Sequence, residues 1–324
     1  APGKPLPYTP GKNYWGRKAY IQYVAGDLPI IISSPHGGYL KPAEIPNRTW
    51  GTTGLDTGSQ EKTWETANYI KKLTGRYPHV IVSRLSRYKL DPNREIKEAA
   101  QGNKHAEQAW KEYHGFITAA RMWVTQRCGR GHYFDFHTNG HKDGWLELGM
   151  WVPPSVLQKS DSAMGTPAVI NASSIRAVAT LPGNILADIV RGPYSLGGLM
   201  QARGYKSVPS PKLPHPAGGG YFYGGYSNWR HGSGSSANKY HGPGPGGVID
   251  GTLVESSSKF INNAVTRDDY SLKMAQSLRA FMERHYGFKL VDAAWTPPAN
   301  ERCHNATPLT LTGGQVTVAG DTTG

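Results

Sequence analysis

Two histidines stand where metal chemistry is easiest to build. His36 leaves an apolar run, Leu28-Pro29-Ile30-Ile31-Ile32-Ser33-Ser34, in the turn Pro35-His36-Gly37-Gly38. The glycines let the backbone turn sharply and leave the imidazole open to a ligand. His137 ends a second apolar stretch, inside Asp135-Phe136-His137-Thr138-Asn139-Gly140-His141. A lone histidine is most often structural. Two at strand ends, each near glycine, point instead to a metal held by imidazole. A hydrolytic zinc needs three protein ligands and one open position for water. Strand alternation puts Asp135 and His137 on one face, so Asp135 is placed to orient the imidazole.

These side chains need a scaffold. Leu28 to Ser34, Val80-Ile81-Val82, His132 to His137, Leu148 to Val152 and Val248 to Glu255 read as strands. Three helical patterns lie between and after them. Trp64, Ala67, Ile70 and Leu73 share a face; so do Trp110, Tyr113, Ile117 and Val124 within 104–126; so do Leu272, Ala275, Leu278 and Phe281 within 270–285. The alternation predicts an α/β fold with a mixed, mainly parallel central sheet flanked by helices. Sites in such sheets form beyond the carboxyl ends of strands, where His36 and His137 lie.

The sequence also sets outer bounds. The 324 residues fit one large domain, read as 19–290, with an extended arm at 1–18 and a tail at 291–324 packed on it. Between 153 and 247 the chain is rich in Gly, Pro, Ser and aromatics, which predicts long ordered loops with one helix near 183–191. The formal charge is +13, but Lys and Arg are scattered without a run, so no nucleic-acid partner is expected. No apolar stretch is long enough to span a membrane. Ala1 reads as a mature N-terminus, and three acceptor triplets begin at Asn47, Asn171 and Asn305, so a secreted glycoprotein is expected. In that compartment Cys128 and Cys303 are expected to form a disulfide.

Five ordered segments carry a family resemblance. They are Pro35-His36-Gly37-Gly38; Ser86-Arg87-Tyr88-Lys89-Leu90-Asp91-Pro92-Asn93-Arg94; Tyr113-His114-Gly115; Asp135-Phe136-His137-Thr138; and Gly224-Gly225-Tyr226 through Arg230-His231-Gly232 to Leu253-Val254-Glu255. In these the chain resembles N-formylglutamate amidohydrolases, and through them the zinc-carboxypeptidase and aspartoacylase fold. The resemblance implies Zn2+ held by His36, His137 and an acid. Glu61 opens a helix as the carboxypeptidase ligand does and is preferred; Asp56, just before that helix, is the alternative. Tyr39 occupies the position where carboxypeptidases and aspartoacylases place that acid.

The same resemblance makes Glu255 the general base, taking a proton from water and returning it to the leaving group. Arg94 and Arg230 are implied as catalytic arginines. Arg87 and Asn93 are assigned to substrate, and His141, Glu147 and His231 either to substrate or to the support behind the site. The expected reaction is hydrolysis of an amide in a small N-acyl compound by a monomer. Two departures loosen the substrate: Pro92 stands where the family pattern has Leu, and the inserted loops carry Trp145, Trp151, Tyr221, Phe222, Tyr223, Tyr226 and Trp229, which could stack on sugar. A carbohydrate deacetylase or esterase, or a carboxypeptidase, is therefore the enzymatic alternative. A non-catalytic binder of anionic polysaccharide is the alternative from another class.

Overall fold

The computed structural model describes residues 7–234 and 247–290. Its centre is an eight-stranded sheet in the order β1-β2-β4-β3-β5-β8-β6-β7. The strands are β1 (Asn13–Trp15), β2 (Ile21–Val24), β3 (Ile30–Ser34), β4 (His79–Ser83), β5 (Gly131–Asn139), β6 (Leu146–Gly149), β7 (Ser207–Val208) and β8 (Ile249–Ser257). The middle four, β4-β3-β5-β8, run parallel, and antiparallel strands close both sides. Strand runs in the middle are buried on both faces, as parallel strands under helices must be.

Alternation sorts the core. Ile30, Ile32, Phe134 and Phe136 pack on one face, against Ile70 of α1 (Ser59–Thr74) and Leu278 and Phe281 of α11 (Ala264–Tyr286). Ile31, Ile81 and Tyr133 pack on the other, with Ala109, Tyr113, Ile117 and Val124 of α3 (Lys104–Cys128). The side chain of Asn103 accepts hydrogen bonds from the amides of His105 and Ala106, which fixes where α3 begins. A short α2 (Ile96–Ala100) precedes it.

Two parts of the chain differ from the sequence reading. Residues 13–15 of the arm pair with β2 as an edge strand. The stretch after β6 holds a series of short helices: α4 (Pro154–Leu157), α5 (Asp161–Met164), α6 (Pro167–Ala172), α7 (Arg176–Ala179), α8 (Leu186–Arg191), α9 (Leu196–Ala202) and α10 (Tyr226–His231). Only α8 was anticipated. Helices of one or two turns show too few periods for a pattern to register. Cys303 and Asn305 lie outside the described residues, as does the tail, so the disulfide and the third acceptor site have no structural counterpart here.

The turn after β3 is tight. A Cβ at Gly38 would fall against the backbone carbonyls of Arg84 and Leu85, which cannot retreat without moving β4. We expect Gly38→Ala to lower unfolding free energy by about 1–3 kcal/mol, as overpacking does. Chemical denaturation checks this, and a variant as stable as the parent would show that the turn tolerates the methyl.

Candidate active site

The carboxyl ends of β3, β5 and β8 share one cleft of about 330 Å³. The β5–β8 register sets His137 opposite Glu255, and β8 pairs Glu255 on its other side with Glu147 of β6. His36 follows β3. Asp56 sits in the loop before α1, where its backbone amide meets the carbonyl of His36 at 3.4 Å and its carbonyl accepts from Ser59.

His36, Asp56 and His137 form one buried group that can hold a metal ion. His36 Nδ1 lies 3.2 Å from Asp56 Oδ2, His137 Nδ1 lies 3.1 Å from the same oxygen, and the two nitrogens are 3.1 Å apart. A tetrahedral zinc with bonds of roughly 2.0–2.1 Å would separate its ligands by about 3.3–3.4 Å, so the triangle is close to one face of that polyhedron. Partners at the far ring nitrogens leave both Nδ1 atoms placed to ligate an ion once His137 gives up its extra proton. His36 Nε2–H donates to Asp91 Oδ1 at 2.6 Å, and His137 Nε2–H donates to Asp135 Oδ2 at 3.0 Å. Each carboxylate fixes a tautomer and turns the opposite nitrogen toward the ion position. The donor set of two imidazoles and one carboxylate fits zinc.

The supporting shell is equally specific. Ser33 Oγ donates to Asp135 Oδ1 at 2.7 Å. Arg87 Nε donates to Asp91 Oδ2 at 2.9 Å and its NH1 to Asp56 Oδ1 at 3.4 Å, so one guanidinium holds both carboxylates. Asn93 donates its amide to Asp91 Oδ1, and its side-chain oxygen accepts from the Ser227 amide at 2.8 Å. His114 Nε2 contacts the Pro92 carbonyl at 3.0 Å, and its Nδ1 meets His231 Nε2 at 2.9 Å. These two stacked rings brace the Asp91–Arg94 turn from behind.

Charge crowding sets the titration. Burial opposes a charged His137, yet Asp135, Glu255 and Asp56 outweigh it and raise the imidazole to about 10. Burial pushes Asp56 up, but the two histidines beside it hold it well below the usual carboxylate range. Burial lifts Glu255 to about 7; His137 and Lys62 pull it down while Asp56 and Glu147 push it up. Burial depresses Lys62 to about 7 against the pull of Glu255 and Asp56.

The structure sorts the expected residues. His36, Asp56, His137, Glu255, Arg87, Asn93, Arg94 and His141 all line the cleft. Glu147 lies fully buried behind His141, 2.7 Å from its Nδ1. Three others fall elsewhere. Glu61 opens α1 outside the metal group; Ser59, Lys62, Thr63 and Thr66 take the helix's buried stripe and turn Glu61 to its flank. Arg230 lies over the rings of Trp110 and Tyr226 and does not line the cleft. His231 is buried against His114 and does not line the cleft.

Sequence reasoning missed Lys62. Its ammonium donates to the His137 carbonyl and to Ser256 Oγ beneath the site. The signal was the i, i+3, i+4 stripe of Ser59, Lys62, Thr63, Thr66, Ala67 and Ile70, whose polar members masked a buried face. Of the aromatic loop residues, Trp145 is buried and Trp151 packs on Tyr223 and Trp229; Phe222 reaches the cleft.

The site and sheet together define a mixed α/β protein with a His–Asp–His centre at the carboxyl ends of its parallel strands. That fold is the one seen in the crystal structure of N-formylglutamate amidohydrolase from Ralstonia eutropha JMP134, with a TM-score of 0.52 and 13% identity over 83% of this chain and 99% of that one. A gene product of Agrobacterium tumefaciens matches at TM-score 0.42 and 11% identity, over 83% and 94% of the two chains. No family model and no curated protein matches the sequence.

We expect one divalent ion per chain. Asp56→Asn and His137→Ala should abolish stoichiometric binding, whereas Glu61→Gln should keep it. The ion must displace the proton that Asp135, Glu255 and Asp56 hold on His137 by raising it, against burial, to about 10. Binding should therefore release roughly one proton at pH 7 and weaken as pH falls. Elemental analysis and calorimetry in two buffers test this; unchanged loading in Asp56→Asn would remove Asp56 from the centre.

Proposed function

We propose that this chain is a zinc-dependent hydrolase that cleaves the amide bond of a small N-acyl compound. The observation that carries the reading is the juxtaposition of the His36–Asp56–His137 triangle with Glu255, one strand over and in register with His137. The ion would supply Lewis acidity toward an acyl carbonyl and lower the pKa of a water molecule.

The chain's own residues do the rest. Glu255 is buried but lines the cleft, so its carboxylate is placed to accept a proton from the attacking water. Arg94 is partly exposed at the cleft, with Nε 3.2 Å from Glu98 and NH1 on the Asn93 carbonyl. That leaves NH2 for a substrate oxygen, a geometry suited to a carboxylate or a polarised carbonyl. Arg87 is committed to Asp56 and Asp91, so it positions one ligand and the carboxylate that orients His36. The cleft volume suits a small molecule rather than a polymer chain.

Export remains part of the proposal. Asn47 and Asn171, the two acceptor asparagines among the described residues, are both exposed, as glycosylation requires.

The test is a panel of N-formyl and N-acetyl amino acids assayed with the metal-loaded chain. Glu255→Gln should lower kcat by about 10²–10⁴-fold, the range for a lost acid–base group, while retaining the metal. The base must be ionised, so kcat/KM falls as pH drops through the Glu255 pKa. A cation beside it lowers that pKa from about 7, which places the acid limb at or below pH 7. Full activity in Glu255→Gln would end the assignment.

A further inference from the structure

We propose that His141 is the acid of the reaction, giving the leaving nitrogen its proton, and that Glu147 holds it in position. This rests on the amide-hydrolase reading above and replaces a Glu255 that serves both proton transfers.

The geometry is that of a built dyad. His141 Nδ1 lies 2.7 Å from Glu147 Oε1, while Glu147 Oε2 accepts from the Phe222 amide at 2.8 Å. Both carboxylate oxygens are thus engaged on a residue with no exposure, in a chain where a buried acid is expensive without such partners. The imidazole is one-third exposed, stacks on Phe222 at 4.8 Å and 23°, and lines the cleft. With Nδ1 given to Glu147, Nε2 is the nitrogen left for the cleft.

Backbone contacts fix the ring further. The His141 amide donates to Asn139 Oδ1 at 3.1 Å, and Asn139 Nδ2 donates to the Glu255 carbonyl at 2.9 Å. Gly220 lies so close that a Cβ there would enter the imidazole ring. Glu147 and Glu255 are directly paired across β6 and β8, with His137 next along the same rank. Glu147 therefore stands on the far side of Glu255 from His137, while His141 reaches it from the loop after β5. His141 and Glu255 line the same cleft, so two separate groups are placed to divide the work of base and acid.

The step balances. Water loses one proton to Glu255 and its oxygen bonds the acyl carbon. The carbon–nitrogen bond then breaks with its electron pair on nitrogen, which takes the Nε2 proton of His141. Acid and amine depart, and the proton on Glu255 passes through solvent back to His141. A carboxylate hydrogen-bonded to Nδ1 stabilises the imidazolium that carries the donated proton.

A leaving group that needs no proton separates this role from a structural one. The metal-loaded chain is assayed on the best-cleaved member of the N-formyl and N-acetyl amino acid panel and on 4-nitrophenyl acetate. His141→Ala should lower kcat on the amide about 100-fold or more, with KM within about threefold. On the ester kcat/KM should stay within about threefold, since nitrophenolate departs unprotonated. Glu147→Gln, which keeps the shape and loses the charge, should show the same split more weakly. Equal losses on both substrates, or a change confined to KM, would overturn the proposal while leaving the hydrolase intact. A parent chain that cleaves no amide of the panel would overturn both.

Discussion

Three ligand atoms crowd together inside this protein, with the Thr138 amide donating to one of them, Asp56 Oδ2, at 3.4 Å. His36 Nδ1, His137 Nδ1 and Asp56 Oδ2 sit 3.1–3.2 Å apart, and Asp91 and Asp135 have already claimed the opposite ring nitrogens. Lone pairs at that distance repel unless a cation or a proton lies among them. Around them, buried Asp56, Asp91, Asp135, Glu147 and Glu255 face buried Arg48, Lys62 and Arg87. So many carboxylates around one point favour a cation there. Without the ion they favour a proton on His137, whose pKa Asp135, Glu255 and Asp56 raise to about 10 against burial.

The motif segments can be understood as layers around that centre. Asp91 orients His36, Arg87 ties Asp91 to Asp56, and Asn93 anchors the turn to the start of α10. Behind them, His114 and His231 stack and grip the Pro92 carbonyl. Burial keeps both imidazoles well below their ordinary pKa, with Arg230 nearby acting in the same direction. They are therefore neutral and can serve as fixed hydrogen-bond partners. Segments far apart in sequence are thus joined through the one short turn that carries Asp91 and Asn93.

Much of this was visible in the sequence, and what was not has a physical reason. Strand ends carrying His36, His137 and Glu255 followed from apolar runs broken by glycine or serine. The choice between Asp56 and Glu61 did not, because both lie near the start of α1 and only the helix phase decides which one reaches the histidines. That phase is set by Lys62, Thr63 and Thr66, whose polarity hides a buried face. Resemblance placed Arg230 at the substrate, and His231 was expected at the substrate or behind it; six-residue α10 turns them toward Trp110 and His114. A contact across 117 residues of chain, like His114 with His231, leaves no trace in local pattern.

Register is what makes the arrangement an all-or-none property. His137, Glu255 and Glu147 are level across β5, β8 and β6. Side chains alternate along a strand, so a slip of β8 by one residue would send Glu255 through the sheet and bring Val254 to the cleft. Val254 belongs with Phe136 and Leu148 in the apolar layer, and its exposure would strand that surface in water. The hydrophobic layer on one side of β8 therefore holds the Glu255 carboxylate in place on the other. Lys62 reinforces this from below by bonding β5 through the His137 carbonyl and β8 through Ser256. Because its ammonium loses hydration to reach that position, the site's geometry and its charge balance rest on the same buried contact.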